Sequence, residues 1–331
     1  MSCEIKWALN KMPKTEDKNL PIMSVVEVKK ARAFHESIPQ YQVTPLADLK
    51  NMAEYLGLAK ACVKDESYRF GLNAFKVLGG SYAIARYIAK ETKRDISQMP
   101  YSVLTSKELR DEFGQATFFS ATDGNHGRGV AWAANRLGQK CVIRMPVGST
   151  ENRRRHIEDE GAECTIEKVN YDDCVRMVAE EAKHAERGVV IQDTAWEGYE
   201  EIPSWIMQGY STMADEAVEQ FEERPTHVFV QAGVGSLAGG VVGYFANKYK
   251  KNPPVMVVVE AEPAACLYRG RRGGRRGDPH CGRRNAHHHG RPVLRRTQYH
   301  FLGYLKEPCD RLPGSERRCG QKRHAHAGSS L

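Results

Sequence analysis

The sequence lacks the uninterrupted apolar run of ~18 to 20 residues that a membrane-spanning helix needs. Its opening stretch, MSCEIKWALNKMPKTEDK, is too highly charged for a secretory signal peptide. Its nine cysteines form no CxxC pair and show no metal-ligand spacing, which is typical of free thiols in a reducing compartment. We therefore expect a cytoplasmic protein with no membrane partner, no structural metal and no disulfide framework.

Acidic residues are scarce in one part of the chain. Residues 268–331 hold 4 of the 41 Asp and Glu but 16 of the 49 Lys and Arg, so this tail carries +12 and the remainder −4 of the total charge of +8. Seven of the twelve histidines also lie there. The basic character therefore belongs to the tail. Because the tail has no aromatic interleaving and follows no nucleic-acid module, we expect no nucleic-acid partner.

The tail has three possible interpretations. Its richness in Arg, Gly, His, Pro and Cys resembles translation of a GC-rich coding region in a shifted frame. It could instead be a basic arm or linker. A metal site through His287, His288 and His289 is the weakest interpretation, because adjacent histidines do not easily face one ion. We favour the first and expect residues 268–331 to be disordered.

The rest of the chain alternates short β-branched apolar runs with amphipathic stretches. This alternation, with strands that are apolar on both faces, predicts an α/β fold with parallel strands covered by helices. The polar segment 95–115 predicts a surface helix or an insertion. The five predicted strand segments are 140–146, 162–169, 188–194, 227–233 and 255–262.

Two glycine-rich loops follow predicted strands, where ligands bind in such sheets. In TFFSATDGNHGRG, Thr122 or Asp123 can cap the following helix. In QAGVGSLAGG, exposed amides at a helix start form a natural phosphate cradle. Taken singly, either loop could be an ordinary turn. The second lacks the GxGxxG pattern with a later acidic residue, which argues against a nicotinamide site.

A single lysine, Lys76, interrupts the apolar phrase FGLNAFKVLGG. Lysine is among the residue types that are least often buried, so the position needs a reason. One reason is structural, because the side chain could reach water from a helix end. Without the other motifs, this structural reason would be the default.

Together these motifs resemble the tryptophan synthase β, or type II, family of pyridoxal phosphate enzymes, and more narrowly the diaminopropionate ammonia-lyases. The resemblance rests on FGLNAFKVLGG, TDGNHGRGVAWAA, QDTAWEGYEEIPSWIMQGY and QAGVGSLAGG, and it covers about residues 20–267. It implies two domains, each with a mostly parallel sheet covered by helices. Residues 1–115 with 195–267 would form the large domain and residues 116–194 the small one.

The resemblance also implies roles for individual residues. Lys76 would carry pyridoxal 5'-phosphate, Asn125 would hydrogen-bond its 3′ oxygen, and the second loop would hold its phosphate. Because the amine must spend time uncharged, we expect an apolar pocket, walled by Phe75, Val77 and Leu78, to lower the pKa of Lys76. The implied phosphate-loop residues are Gly233, Val234, Gly235, Ser236 and Leu237.

Two carboxylates are expected to select the substrate. Asp123 and Asp193 would attract the second ammonium group of a diamino acid, and either could move the α-proton on the face opposite Lys76. The structural alternatives are a helix cap for Asp123 and a turn residue for Asp193. Thr122, Gly124 and His126 complete the implied substrate site, with His126 more a scaffold residue than an acid or base.

The implied reaction is α,β-elimination of 2,3-diaminopropionate to pyruvate and ammonia in amino-acid catabolism, performed by a homodimer. Another type II enzyme, such as a threonine or serine dehydratase or a cysteine synthase, is the near alternative. An inactive relative is the far one, because the further strands, helices and pyridine-nitrogen partner that the family would place after Tyr268 are not legible here.

Overall fold

The computed structural model describes residues 5–9, 20–262 and 265–272. Their α-helices are α1 Val25–Glu36, α2 Lys50–Leu56, α3 Lys76–Glu91, α4 Tyr101–Leu104, α5 Lys107–Phe113, α6 Asn125–Arg136, α7 Glu151–Glu158, α8 Tyr171–His184, α9 Glu201–Tyr210, α10 Thr212–Gln220, α11 Ser236–Lys248 and α12 Cys266–Arg272. Their strands are β1 Leu46–Asp48, β2 Cys62–Lys64, β3 Thr117–Ala121, β4 Lys140–Met145, β5 Glu163–Ile166, β6 Gly188–Val190, β7 His227–Gln231 and β8 Val255–Val259. Short 3-10 helices span Leu20–Met23, Glu66–Gly71 and Ile96–Gln98.

A four-stranded parallel sheet has the strand order β5-β4-β3-β6. Phe119 in β3 lies opposite Val142 on one side and Val190 on the other. Each of the five predicted strand segments contains an observed strand, and the predicted α/β class with parallel strands is confirmed. All four strands of this sheet fall inside the expected small domain, residues 116–194, although the division into two domains stays a prediction.

Two smaller sheets complete the strand pairing in the described residues. β7 and β8 pair in parallel, and β1 pairs with β2 antiparallel. The expectation that the strands are buried on both faces is wrong for β7 and β8, since Phe229 is 69% exposed and Val259 is 51% exposed. No described element covers that face of the pair.

Local sequence signals set the starts of the helices beside the main sheet. The Asn170 side chain accepts a hydrogen bond from the Asp173 amide at the start of α8, and the Thr150 side chain accepts one from Arg153 at the start of α7. Such caps stabilise a helix by ~1 kcal/mol each, because they satisfy an amide that has no partner within the helix.

Segment 95–115 differs from the predicted surface helix. It forms a 3-10 turn followed by α4 and α5, and its apolar side chains pack into the core rather than facing solvent. The apolar residues of this segment show only weak helical periodicity, because three short helical pieces with different orientations do not share one repeat. The buried side chains are Ile96, Met99, Leu104, Leu109 and Phe113.

The amphipathic stretch before β7 forms two helices rather than one, because α9 ends and α10 begins at Ser211. The first five residues of the expected disordered tail, 268–272, belong to helix α12, so that expectation is wrong for them. The remainder of the tail lies outside the described residues, and with it lie both the shifted-frame interpretation and the histidine triplet.

Glycines let the central helices cross at close range. A Cβ built on Gly129 of α6 would lie 2.7 Å from the Val77 Cα in α3, and one on Gly209 of α9 would lie 2.3 Å from the Leu78 carbonyl oxygen. Cβ atoms do not approach backbone atoms this closely, so any larger residue would force the helices apart. The start of α3, and with it Lys76, is therefore fixed between α6 and α9.

Buried ion pairs hold α10 against the segment that precedes α3. The Arg69 guanidinium donates to both Glu216 carboxylate oxygens at 2.9 Å, and both side chains are almost fully buried. Arg32 of α1 likewise pairs with the buried Asp215 at 2.8 Å. A bidentate arginine fixes geometry as well as contributing energy.

No helix in the described part of the chain is long and apolar enough to cross a bilayer.

Candidate active site

Lys76 is the first residue of α3, and its side chain is 24% exposed. Its Nζ donates a hydrogen bond to the carboxylate of Asp193, which follows β6 and is 3% exposed. The two residues are 117 positions apart in the chain. They meet because α3 begins at the edge of the main sheet where the loop after β6 emerges, the edge at which such sheets place ligands.

The contact between Lys76 and Asp193 shifts the pKa values of both groups. Burial acts to lower the pKa of Lys76, but the Asp193 carboxylate outweighs it and raises the pKa above its ordinary value. Burial acts to raise the pKa of Asp193, but the Lys76 ammonium outweighs it and brings the pKa to about 2. The expectation of a lowered lysine pKa is therefore wrong for this state, because it considered apolar walls without a carboxylate partner.

Two aromatic rings flank the lysine. Nζ lies 5.6 Å from the centre of the Phe75 ring and 5.4 Å from the centre of the Tyr210 ring, within the range of cation–π attraction. Val77 and Leu78, the other expected walls, are buried in the main core cluster. Tyr210 was missed by sequence reasoning, although it ends the quoted motif EEIPSWIMQGY.

The Asn loop joins β3 to α6. The Thr122 amide donates to the Arg144 carbonyl at 3.1 Å, and the Thr122 hydroxyl accepts from the Gly124 amide at 3.0 Å. The helix cap is Gly124, so the expectation that Thr122 or Asp123 caps α6 is wrong. The backbone amides of Thr122 and Gly124, two residues of the implied substrate site, are thus engaged within the protein. Those of Asp123, Asn125 and His126 form no hydrogen bond with any described residue.

The side chains of this loop divide into exposed and buried ones. Asp123 and Asn125 are exposed, and the Arg153 guanidinium donates to the Asp123 carbonyl at 3.1 Å. No hydrogen bond or ion pair joins the Asp123 carboxylate to Lys76 or Asp193 in the described part of the chain. The structure thus brings Asp193, but not Asp123, into contact with the lysine.

His126 is 6% exposed, and its Nε2 donates to the Ile191 carbonyl at 2.9 Å. Burial lowers its pKa, so the ring is neutral near pH 7. Its Nδ1 then carries a lone pair, is buried, and has no partner among the described residues. This bonding supports the interpretation of His126 as a scaffold residue.

The second glycine-rich loop joins β7 to α11. Gly235 has φ of 100°, a conformation that favours glycine, and it directly precedes the first turn of α11. A Cβ on Gly233 would meet no atom within 4 Å, so the loop is open on that side. The Ser236 hydroxyl donates to the Asp193 carbonyl, which ties this loop to the lysine's partner. Val234 is half-buried and Leu237 is buried.

These features fit pyridoxal phosphate. A lysine amine, an open glycine loop at the start of a long helix, and buried polar atoms without partners lie around one region. The start of a helix, with its positive dipole end and outward-pointing amides, is suited to a phosphate. Residues 38–303 match the model of the family described as pyridoxal-phosphate dependent enzyme.

The chain belongs to this family. The family match extends beyond Leu267, where the motif resemblance ends. Over 253 residues, 75% of this chain, the sequence is 51% identical to a diaminopropionate ammonia-lyase of Salmonella typhimurium. The chain spans 62% of that relative's length.

Solved structures agree with this membership of the pyridoxal-phosphate dependent enzymes. The holo diaminopropionate ammonia lyase from Escherichia coli matches with a TM-score of 0.75 and 46% identity, covering 81% of this chain and 67% of that one. The same enzyme in complex with D-serine gives the same values. The predicted type II fold and the predicted resemblance are thereby confirmed, while the roles of individual site residues stay predictions.

Proposed function

We propose that this protein is a pyridoxal phosphate-dependent ammonia-lyase that converts 2,3-diaminopropionate to pyruvate and ammonia. The observation that carries this proposal is the contact between Lys76 and Asp193 beside the two glycine-rich loops, in a chain that is 51% identical to a diaminopropionate ammonia-lyase over 75% of its length. The substrate loses its β-amino group as ammonia. Hydrolysis of the remaining enamine consumes one water and gives pyruvate and a second ammonia.

Three parts of the chain would hold the cofactor. Lys76 would bind its aldehyde carbon covalently, Asn125 its 3′ oxygen, and Gly233 to Leu237 its phosphate. When bound, pyridoxal phosphate supplies an electron sink for the charge left at Cα when the α-proton departs. Lys76 must first lose a proton, and the Asp193 carboxylate already accepts a hydrogen bond from its amine.

The carboxylates of Asp123 and Asp193 differ in how readily a substrate could reach them. Asp123 is exposed at the loop before α6 and is free to meet a substrate ammonium group. Opposite unit charges ~4 Å apart attract by about 4 kcal/mol at an effective dielectric near 20, before desolvation is subtracted. Asp193 is engaged by Lys76 and becomes available to substrate only when the amine moves. Thr122, Gly124 and His126 would shape the floor of this substrate site.

One experiment tests cofactor attachment. The purified chain with added pyridoxal phosphate is measured by visible absorbance before and after borohydride, and the reduced peptide is mapped. We expect the label on Lys76. A label on another lysine, or none, would contradict the proposal.

A second experiment tests the reaction. Pyruvate release is measured from D- and L-2,3-diaminopropionate, serine and threonine. Faster release from diaminopropionate supports the proposal, whereas faster release from serine or threonine indicates a dehydratase. Cofactor capture without pyruvate from any of them indicates an inactive relative.

We further propose a cytoplasmic homodimer in amino-acid catabolism. The buried thiols of Cys164 and Cys174, whose pKa values burial raises to about 12, suit a reducing compartment. Exposed apolar side chains on and beside α2, including Met52 and Tyr55, offer a surface for a second copy. Light scattering coupled to size-exclusion chromatography would give the mass, and a monomer at micromolar concentration would contradict the dimer.

A further inference from the structure

Tyr210 ends α9 and is held rigidly beside the lysine. Its side chain is fully buried, its ring meets the Phe75 ring edge to face at 5.1 Å, and a Cβ on Gly79 would lie 2.5 Å from its Cε1. Only glycine at position 79 leaves room for the ring. The phenol is therefore placed by packing on two sides, independently of its hydroxyl group.

The buried Tyr210 hydroxyl lies beside the Lys76 amine and the Asp193 carboxylate, but it makes a well-formed hydrogen bond with no described residue. Leaving a buried hydroxyl without a well-formed hydrogen bond is destabilising. Burial raises the pKa of Tyr210 above its ordinary value against the opposing effect of the Lys76 ammonium, and Asp193 acts in the same direction as burial. The phenol thus keeps its proton and remains a donor close to both charged groups.

The Lys76–Asp193 pair cannot remain as it is when the lysine nitrogen is bonded to a carbonyl carbon. Removing one partner of a buried ion pair is strongly destabilising, because the other charge stays buried. His126 cannot supply a replacement while neutral, since its Nε2–H is used by the Ile191 carbonyl and its Nδ1 only accepts. The Tyr210 hydroxyl is a donor that lies close by and is not yet committed to a well-formed hydrogen bond.

We propose that Tyr210 is a positioning residue that hydrogen-bonds the Asp193 carboxylate when the Lys76 amine is engaged by a carbonyl group. This rests on the proposed function insofar as the carbonyl is the cofactor's. In the free-lysine state the Tyr210 hydroxyl lacks this hydrogen bond, which is destabilising. When the amine is withdrawn, the hydroxyl forms the bond and the destabilisation is removed. Tyr210 acts through Asp193 and takes no part in bond making.

A stability cycle tests this without cofactor. Tyr210→Phe and Lys76→Met are made singly and together in the full chain, and melting temperatures of the cofactor-free proteins are compared. With Lys76 present, Tyr210→Phe should leave the melting temperature unchanged or raise it by a few degrees, because it removes a buried hydroxyl that makes no well-formed hydrogen bond. With Lys76→Met, the same change should lower it by about 3–8 °C, because a hydrogen bond to a buried charge is lost.

The matched control is Tyr82→Phe. Tyr82 is also fully buried and its hydroxyl also has no hydrogen-bond partner in the described residues, but it lies along α3 away from the lysine amine. Its substitution should have the same small effect in both backgrounds. Lys76→Ala replaces Lys76→Met if the latter does not fold.

Cofactor binding gives an independent measurement. Tyr210→Phe should raise the dissociation constant of pyridoxal phosphate about tenfold, and the effect should vanish when Asp193→Asn is also present, because the amide is neutral. An equal effect of Tyr210→Phe with and without Lys76→Met would overturn the proposal. If borohydride reduction does not leave the cofactor on Lys76, the proposed function fails. The melting temperatures of the cofactor-free variants still decide the role of Tyr210.

Discussion

The Ser236 hydroxyl donates a hydrogen bond to the backbone carbonyl of Asp193, whose carboxylate accepts one from Lys76. The glycine-rich loop before α11 is thereby joined to the lysine through a single residue. Two parts of the candidate site that lie 160 positions apart in the chain, Lys76 and Ser236, are thus positioned together.

Removing the carboxylate should change the reactivity of the lysine. In Asp193→Asn the group that raises the pKa of Lys76 is lost, so burial dominates and the pKa falls. We expect the pH at which Lys76 becomes half reactive to drop by about one unit or more. The measurement is labelling of the cofactor-free protein with an amine reagent across pH, followed by peptide mapping. Lys107, an exposed lysine in the same digest, is the internal control, and parallel shifts at both positions would contradict the interpretation.

Asp123→Asn should separate the two enantiomers of 2,3-diaminopropionate. The side chain is exposed before α6 and bonds neither Lys76 nor Asp193, so cofactor capture should be retained. If Asp123 moves the α-proton of one enantiomer, turnover of that enantiomer should fall about 10²- to 10⁴-fold while the other changes much less. Pyruvate release is the assay. Equal turnover of both enantiomers by the variant would remove Asp123 from proton transfer.

Acid should destabilise the protein through Glu216. Burial alone would raise its pKa, but Arg69 and Lys64 outweigh burial and lower it to about 2 from an ordinary 4.5. Because the unfolded chain then binds a proton more readily, this stabilisation is present above about pH 4.5 and is lost as pH falls toward 2. The difference corresponds to stability on the order of 3 kcal/mol.

The measurement for Glu216 is the melting temperature between pH 6 and pH 3. Glu216→Gln should lower it at pH 6 and flatten its dependence on pH. The exposed pair of Arg94 with Glu112 provides the comparison, because Glu112→Gln should alter neither quantity appreciably. A pH dependence in Glu216→Gln as steep as in the unaltered chain would show that other groups are responsible.

Substitutions at the crossing of α3 and α6 should be graded by what the new methyl group meets. In Gly129→Ala the methyl group would lie 2.7 Å from the Val77 backbone, which cannot move aside, so we expect a loss of about 1–3 kcal/mol. In Gly80→Ala it would meet a Val130 methyl group at 3.1 Å, and the gain in helix propensity, ~1 kcal/mol, offsets most of that contact. Denaturant unfolding of both variants checks this, and equal losses would contradict it.

The sequence predicts those parts of the site whose signal is local. Lys76 stands out against its apolar neighbours, and both glycine-rich loops are legible because glycines and a following apolar run mark the turn from strand to helix. The parallel strands are legible for the same reason, since β-branched runs are contiguous.

Long-range contacts account for what the sequence does not show. Nothing near Lys76 in the chain indicates Asp193, so its raised pKa could not be foreseen from apolar neighbours alone. In the sequence, Tyr210 is one aromatic residue in an apolar helix. Only the structure shows that its ring packs against Gly79. The exposure of Phe229 likewise depends on which elements lie beside β7, a matter of tertiary arrangement rather than of strand pattern.

At Gly129 and Gly209 the main chains of α6 and α9 meet α3 without an intervening layer of side chains. Such a layer would let one helix adjust its rotamers while its neighbour stayed in place. Here a displacement of the main chain of α6 or α9 displaces the main chain of α3 directly, at the turn that carries Lys76. Random substitutions that inactivate this protein should therefore accumulate along these crossings as densely as among the polar groups around the amine.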